Sequence, residues 1–167
     1  GKETRPTSNR VRESIFNILG NCVQDACVLD LYAGTGAMGI EALSRGAKWA
    51  FFAEGQRAAL AALAKNIKSC SLENRTNTIK CNILDNLKIL QSHRAAFDLV
   101  FIDPPYNQGM IQPTLSHLAR SQCLVKDARL AIEHSPRESI PENRPEFEVA
   151  DQRKYGKTLV SFLIYMV

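Results

Sequence analysis

Cys27-Val28-Leu29-Asp30-Leu31-Tyr32-Ala33-Gly34-Thr35-Gly36-Ala37-Met38-Gly39 is the stretch that decides the fold of this chain. Its first six residues are an apolar run of strand length interrupted only by Asp30, the pattern of a strand buried on both faces. Three glycines follow in the spacing G-x-G-x-x-G, and a helical stretch from about Met38 to Ser44 comes next. Glycines in that turn let a ligand approach the backbone closely, and the start of the helix offers free N–H groups. A strand, a glycine turn and a helix in this order therefore predict a ligand-binding βα unit.

The pattern repeats downstream. Trp49-Ala50-Phe51-Phe52-Ala53-Glu54 reads as a second strand, Arg57 to Cys70 as a helix, and Thr76 to Cys81 as a third strand. A short helix runs to about Ser92, Phe97 to Ile102 is a fourth strand, and Ile111 to Arg120 is a helix. Leu130 to Glu133 forms the core of a fifth strand. After a loop punctuated by Pro136, Pro141 and Pro145 come two strands without a helix between them, near Phe147–Arg153 and Thr158–Tyr165. The tight Gly156-Lys157 turn makes that pair an antiparallel hairpin. Upstream, Thr7 or Ser8 can cap a first helix with Val11, Ile15, Ile18 and Leu19 on one face, and Gly20 and Asn21 stop it. Alternating strands and helices predict an α/β, Rossmann-like fold. Its seven-stranded sheet is mostly parallel, with an antiparallel C-terminal edge hairpin and helices on both faces.

The 167 residues suit one domain, 1–167, in which 1–21 is an N-terminal loop and helix and 22–167 is the core. With 45% hydrophobic positions the chain is not disordered, and no apolar run is long enough for a membrane span. No charged-then-apolar leader opens it, which points away from secretion. Cys22, Cys27, Cys70, Cys81 and Cys123 are an odd, scattered set without a C-x-x-C pair, as are His93, His117 and His134, so neither a disulfide framework nor a metal site is expected. The cysteines read as small buried hydrophobes in a reducing, cytoplasmic setting. The net charge of +4 permits nucleic-acid binding without demonstrating it.

Ligands of such sheets bind beyond the carboxyl ends of the strands. Gly34 and Gly36 by themselves suit nicotinamide, flavin and S-adenosylmethionine sites alike. Asp30 favours the last: a carboxylate there repels a pyrophosphate and attracts an ammonium or sulfonium. Glu54 ends the second strand at about the 20-residue offset expected of a group accepting both ribose hydroxyls. After the third strand, Asn82 can accept from an adenine amine, with Ile83 or Leu84 flanking the ring.

Asp103-Pro104-Pro105-Tyr106 follows the fourth strand directly. Consecutive prolines fix the backbone and remove two donors, so the Asp103 carboxylate and the Pro104 carbonyl form a site that only accepts hydrogen bonds. A planar exocyclic amine needs that arrangement, because accepting its hydrogens turns its lone pair toward an electrophilic methyl group. Tyr106 offers a face on which a base can stack. His134, in Glu133-His134-Ser135, reads as a loop residue bordering the cleft rather than as a base.

The tetrapeptide resembles the D/N-P-P-Y/F motif of class I amino-methyltransferases. Val28 to Ala47 is similar to their cofactor motif, which implies that Tyr32 and Ala33 join Gly34 and Gly36 at the cofactor. More narrowly, Arg5-Pro6-Thr7-Ser8-Asn9-Arg10-Val11-Arg12-Glu13, with Phe16-Asn17 after it, resembles the N-terminal signature of the RsmD family of bacterial 16S ribosomal RNA guanine-N2 methyltransferases. Leu43-Ser44-Arg45-Gly46-Ala47 and Lys154-Tyr155-Gly156-Lys157-Thr158 are also similar to that family. The β-hairpin that usually precedes the Arg-Pro-Thr segment does not stand before Arg5, and Asn82 occupies a position commonly acidic.

The resemblance implies S-adenosylmethionine as cofactor, S-adenosylhomocysteine as product, and methylation of a guanine N2 in 16S ribosomal RNA or a small-subunit assembly intermediate. The chain would act as a monomer, away from membranes and without a metal. Arg5, Arg10, Arg12, Lys154 and Lys157 become candidate phosphate contacts that grip RNA from either side of the pocket. An adenine-N6 or protein-glutamine methyltransferase shares the tetrapeptide chemistry, and an NAD-binding Rossmann module shares the glycine turn.

Overall fold

The computed structural model describes residues 8–83, 85, 87–92 and 95–167; Arg5, Thr7, Leu84 and His93 lie outside the described residues. Helix α1 spans Asn9–Leu19, and Ser8 caps it by accepting from the Val11 N–H at 3.2 Å. Its buried stripe is Val11, Ile15, Phe16 and Leu19. Ile18 packs half-buried against the same core, and Phe16 joins the stripe because its ring packs on Phe101 of the sheet, at 5.5 Å between centroids, with the Arg45 guanidinium 4.9 Å above it.

The strands are β1 (Cys27–Leu31), β2 (Trp49–Glu54), β3 (Thr76–Lys80), β4 (Phe97–Ile102), β5 (Leu124–His134), β6 (Phe147–Tyr155) and β7 (Thr158–Tyr165). The remaining helices are α2 (Ala37–Ser44), α3 (Arg57–Ser69), α4 (Ile89–Ser92) and α5 (Ile111–Ser121). One sheet runs β3-β2-β1-β4-β5-β7-β6. The first five strands are parallel, and β7 pairs antiparallel with both β5 and β6. The predicted mostly parallel, seven-stranded Rossmann-like sheet is therefore present. The hairpin does not simply append to one edge in chain order, because β7 slots between β5 and β6.

β5 starts six residues before its expected core. Lys126, Asp127 and Arg129 hide its first half from an apolar pattern, and the register shifts between Phe97 and Leu99 where Leu124 joins β4. Side chains alternate between two cores, one on each face of the sheet. Leu29, Leu31, Val100 and Ile102 belong to the face covered by α4 and α5, and Val28, Phe52, Leu99 and Phe101 to the face covered by α1, α2 and α3. Phe51 and Phe52 are buried, on opposite faces, and the Trp49 indole donates to Asn77 Oδ1 at 2.6 Å. Among the cysteines only Cys123 is buried, and Cys22 and Cys70 are exposed. The small-hydrophobe reading fails for those two because Cys22 lies on the outer side of the short 3-10 turn Gly20–Val23 and Cys70 caps the end of α3.

The strand order reverses between β1 and β4, which opens a crevice at their carboxyl ends. Leu31 and Ile102 are register partners, so the glycine turn and the tetrapeptide leave the sheet side by side.

Candidate active site

The glycine turn is built from backbone that most residues resist. Gly34 and Gly36 stand at φ +57° and +87°, and Tyr32 at +59°. The Gly36 N–H closes the turn on the Ala33 carbonyl at 2.8 Å, and the Ala33 N–H reaches the Ala53 carbonyl at 3.2 Å. The three glycines differ in purpose. A Cβ on Gly36 would run into Leu63, and one on Gly39 into the Phe52 ring, so both allow helix and sheet to close. A Cβ on Gly34 would meet nothing within 4 Å. The backbone at Gly34 is thus open to a ligand.

Glu54 sits at the end of β2 with both carboxylate oxygens engaged. Oε1 accepts from the Gly34 N–H at 2.8 Å, and Oε2 accepts from the Gly55 and Gln56 N–H groups at 3.0 and 2.9 Å. It straps the glycine turn to the loop after β2 and retains one lone pair, on Oε1, for a further donor. Asp30 faces α2 and is only 2% exposed, its Oδ2 accepting from the Gly39 N–H at 3.0 Å. Burial pushes its carboxyl up to about 8, the Gly39 N–H opposes that rise, and the Glu54 charge adds to it. Burial therefore favours the neutral form of Asp30, which braces the turn from beneath. An arriving cation would favour its ionised form.

Tyr32 reaches across to α5. Thr114 Oγ1 donates to the Met110 carbonyl at 2.6 Å, so the Tyr32 hydroxyl, 2.6 Å away, must donate to Thr114. Burial raises the Tyr32 phenol above its ordinary range, and the Thr114 bond opposes the shift. Asn82 is exposed after β3, whereas Ile83 is buried among core residues and turns almost no surface toward a base.

Asp103 and Tyr106 are half-buried, Pro104 is buried and Pro105 is exposed. The Tyr106 hydroxyl shares a hydrogen bond with Thr158 Oγ1 at 2.9 Å, and the next residue, Asn107, donates its N–H to Glu138 Oε1 at 2.9 Å. Thr158 closes the family-like hairpin segment; Glu138 carried no signal in the sequence. His134 is not a loop residue. It ends β5 fully buried, with Nδ1 against the Ser135 and Glu138 carbonyls at 3.1 and 2.9 Å and Nε2 2.8 Å from Ser161 Oγ. The strand continues past the expected boundary and carries the ring inward.

Arg10, Lys154 and Lys157 are exposed. Arg12 is already engaged, by Asn9 Oδ1 at 2.6 Å and by Glu41 at 3.7 Å. The Ser14 and Tyr155 hydroxyls share a hydrogen bond, so α1 and the β6–β7 hairpin lie next to each other. Their basic residues belong to adjoining elements. A hollow of about 300 Å³ between α2 and α3, lined by Arg12, Thr35, Glu41 and Asn66 among others, contains none of Asp30, Glu54 and Asp103.

These parts can bind a ligand carrying a vicinal diol and a cation, using Glu54, the open Gly34 backbone and Asp30. Beside them is a hydrogen-bond-accepting corner next to an aromatic ring. S-adenosylmethionine fits that set.

A family model described as Conserved hypothetical protein 95 matches residues 1–164. Ribosomal RNA small subunit methyltransferase D of Buchnera aphidicola (subsp. Acyrthosiphon pisum) is 36% identical over 136 residues, 81% of this chain and 70% of that protein. The protein of the same name from Escherichia coli K12 is 34% identical over 137 residues, 82% of this chain and 67% of that protein. Among solved structures, a conserved hypothetical protein of Streptococcus pyogenes superposes with a TM-score of 0.79 at 31% identity, covering 93% of this chain and 95% of that one.

Proposed function

This chain belongs to the family described as conserved hypothetical protein 95, the RsmD family, and on that premise we propose that it methylates the exocyclic N2 amine of a guanine in small-subunit ribosomal RNA. The observation that carries this reading is the Leu31–Ile102 pairing, which sets the Asp103-Pro104 acceptors beside the glycine turn. When bound, S-adenosylmethionine supplies an electrophilic methyl group on a sulfonium. Glu54 would accept from the ribose hydroxyls, and Tyr32, Ala33, Gly34 and Gly36 would form the backbone wall of the cofactor site. Asp30 ionises to balance the positive charge, and Asn82 accepts from the adenine amine.

The chain's part in the chemistry is orientation. The Asp103 carboxylate and the Pro104 carbonyl accept the two N2 hydrogens, which directs the nitrogen lone pair at the methyl carbon. With the methyl supplied to N2 and a thioether as the leaving group, Asp103 would take up the surplus N2 proton and pass it to water. Holding reactants in line in this way is worth several orders of magnitude in rate. Pro105 stiffens the corner and Tyr106 stacks on the base. Because N2 lies on the pairing edge, the guanine must be unpaired or flipped from its stack. Arg10, Lys154 and Lys157 contact phosphates, Arg12 contributes less because Glu41 pairs with it, and Arg5 precedes the same helix. The setting is the bacterial cytoplasm, where small subunits assemble.

The test is tritiated-methyl transfer to small-subunit particles at successive assembly stages, followed by nucleoside analysis. We expect N2-methylguanosine from the wild type. Asp103→Ala should lose nearly all transfer while keeping its calorimetric affinity for S-adenosylhomocysteine. N6-methyladenosine as the product would overturn the guanine assignment.

A further inference from the structure

Two hydrogen bonds reach the Asp103–Asn107 corner, one from the start of β7 and one from the loop after β5, and neither comes from a residue assigned to cofactor or substrate. One joins the Tyr106 hydroxyl to Thr158, which is 4% exposed and pairs with Tyr155 across the hairpin. The other runs from the Asn107 N–H to the Glu138 carboxylate. Asn107 stands at φ +59°, in the left-handed region that asparagine adopts more readily than other residues with a side chain.

Glu138 is itself fixed from behind. His134 Nδ1 faces two carbonyl oxygens, so it carries the hydrogen and donates to the Glu138 and Ser135 carbonyls. The other ring nitrogen, Nε2, lies 2.8 Å from Ser161 Oγ, which in turn accepts from Gln152 Nε2 at 2.8 Å. The chain runs from the hairpin strands, through a fully buried imidazole, to the loop whose carboxylate holds Asn107.

We propose that Glu138 and Thr158 are positioning residues for methyl transfer, fixing the corner at Asn107 and Tyr106 so that the Asp103 and Pro104 acceptors and the Tyr106 ring keep one geometry. The role in transfer rests on the methyltransferase reading above. Neither residue touches the reacting atoms. Their effect falls on the rate of the chemical step, where small misplacements of oriented groups are costly, and not on cofactor affinity.

The experiment compares wild type with Glu138→Ala, Glu138→Gln, Thr158→Val and Thr158→Ser as full-length proteins. Glutamine retains an oxygen to accept the single Asn107 N–H, and serine retains the hydroxyl; alanine and valine retain neither. Hydrogen exchange over residues 103–110 reads the corner directly and needs no activity. Single-turnover transfer to small-subunit particles and calorimetry with S-adenosylhomocysteine complete the set. Glu138→Ala and Thr158→Val should exchange about tenfold faster across 106–108 and transfer about tenfold more slowly, the scale of one lost hydrogen bond to a charged or buried group. Cofactor affinity should stay at the wild-type value, and the Gln and Ser variants should recover both readouts. Unchanged exchange in Glu138→Ala and Thr158→Val overturns the proposal, as does a Gln or Ser variant as slow as its Ala or Val counterpart. If Glu138→Ala fails to fold, the near-isosteric Thr158→Val decides. A wild type that transfers nothing to RNA removes the methyltransferase reading and the role in transfer with it; the exchange data then judge only whether the corner is held as described.

Discussion

Replacing Glu54 by glutamine changes one atom of a side chain at the end of a strand, and the structure makes that change expensive. The carboxylate accepts three backbone N–H groups, Gly34 at one oxygen and Gly55 and Gln56 at the other. An amide has one acceptor oxygen and one donor nitrogen. In its best pose the substituted side chain keeps its oxygen on the Gly55 and Gln56 N–H groups and turns its NH₂ group toward the Gly34 N–H, donor against donor. That loses one charge-assisted bond, worth about 1.5–3 kcal/mol, and weakens the other two to neutral bonds of roughly half the strength. A total loss of about 3–6 kcal/mol follows. For a chain of this size each kcal/mol moves Tm by roughly 2–4 °C, so Glu54→Gln should melt about 6–24 °C below wild type. The assay is thermal and urea unfolding of the ligand-free protein, with Glu54→Ala alongside. Glu54→Ala should also weaken S-adenosylhomocysteine binding by about 1.5–3 kcal/mol through the lost ribose contact. A Glu54→Gln protein that melts with the wild type would refute the strap.

Asp30 gives a pH test. Its folded-state value of about 8 lies above the ordinary 3.8, so the native state holds an extra proton between those limits. The associated stability is complete below about pH 4 and is lost as pH rises through about 8. Asp30→Asn should therefore show a flatter Tm-against-pH curve from about pH 5 to 9, and a curve as steep as wild type would contradict the buried neutral carboxyl. Gly34→Ala and Gly36→Ala separate backbone strain from crowding. Both have positive φ, at about 1–2 kcal/mol each, but only Gly36 also drives a methyl into Leu63 and to 3.3 Å from Phe52. Urea midpoints should fall further for Gly36→Ala, and equal midpoints would refute the packing role. For RNA, Arg10→Ala and Lys154→Ala should each reduce the log–log salt slope of binding by about 0.9 without altering S-adenosylhomocysteine affinity. Slopes parallel to wild type would make both residues ordinary surface charges.

The sequence by itself determined the elements and the order in which they bear chemistry. β2 and β4 fall on the residues expected, because a buried parallel strand is a short apolar run bounded by turn residues, and that signal is local. The glycine turn and the Pro104-Pro105 corner were equally legible, since φ preference and missing donors belong to the residues themselves. Tertiary structure alone decided what those elements touch. The insertion of β7 between β5 and β6, the burial of Asp30 under α2 and the triple engagement of Glu54 leave no trace in periodicity. The same holds for His134, which the sequence placed in a loop, and for Cys22 and Cys70, which it placed in the core. Ser14 meets Tyr155 across 141 positions of sequence, and Tyr106 meets Thr158 across 52. Contacts of that separation are fixed by strand order and register, and a hydroxyl carries no mark in the sequence of the partner that the sheet will bring to it.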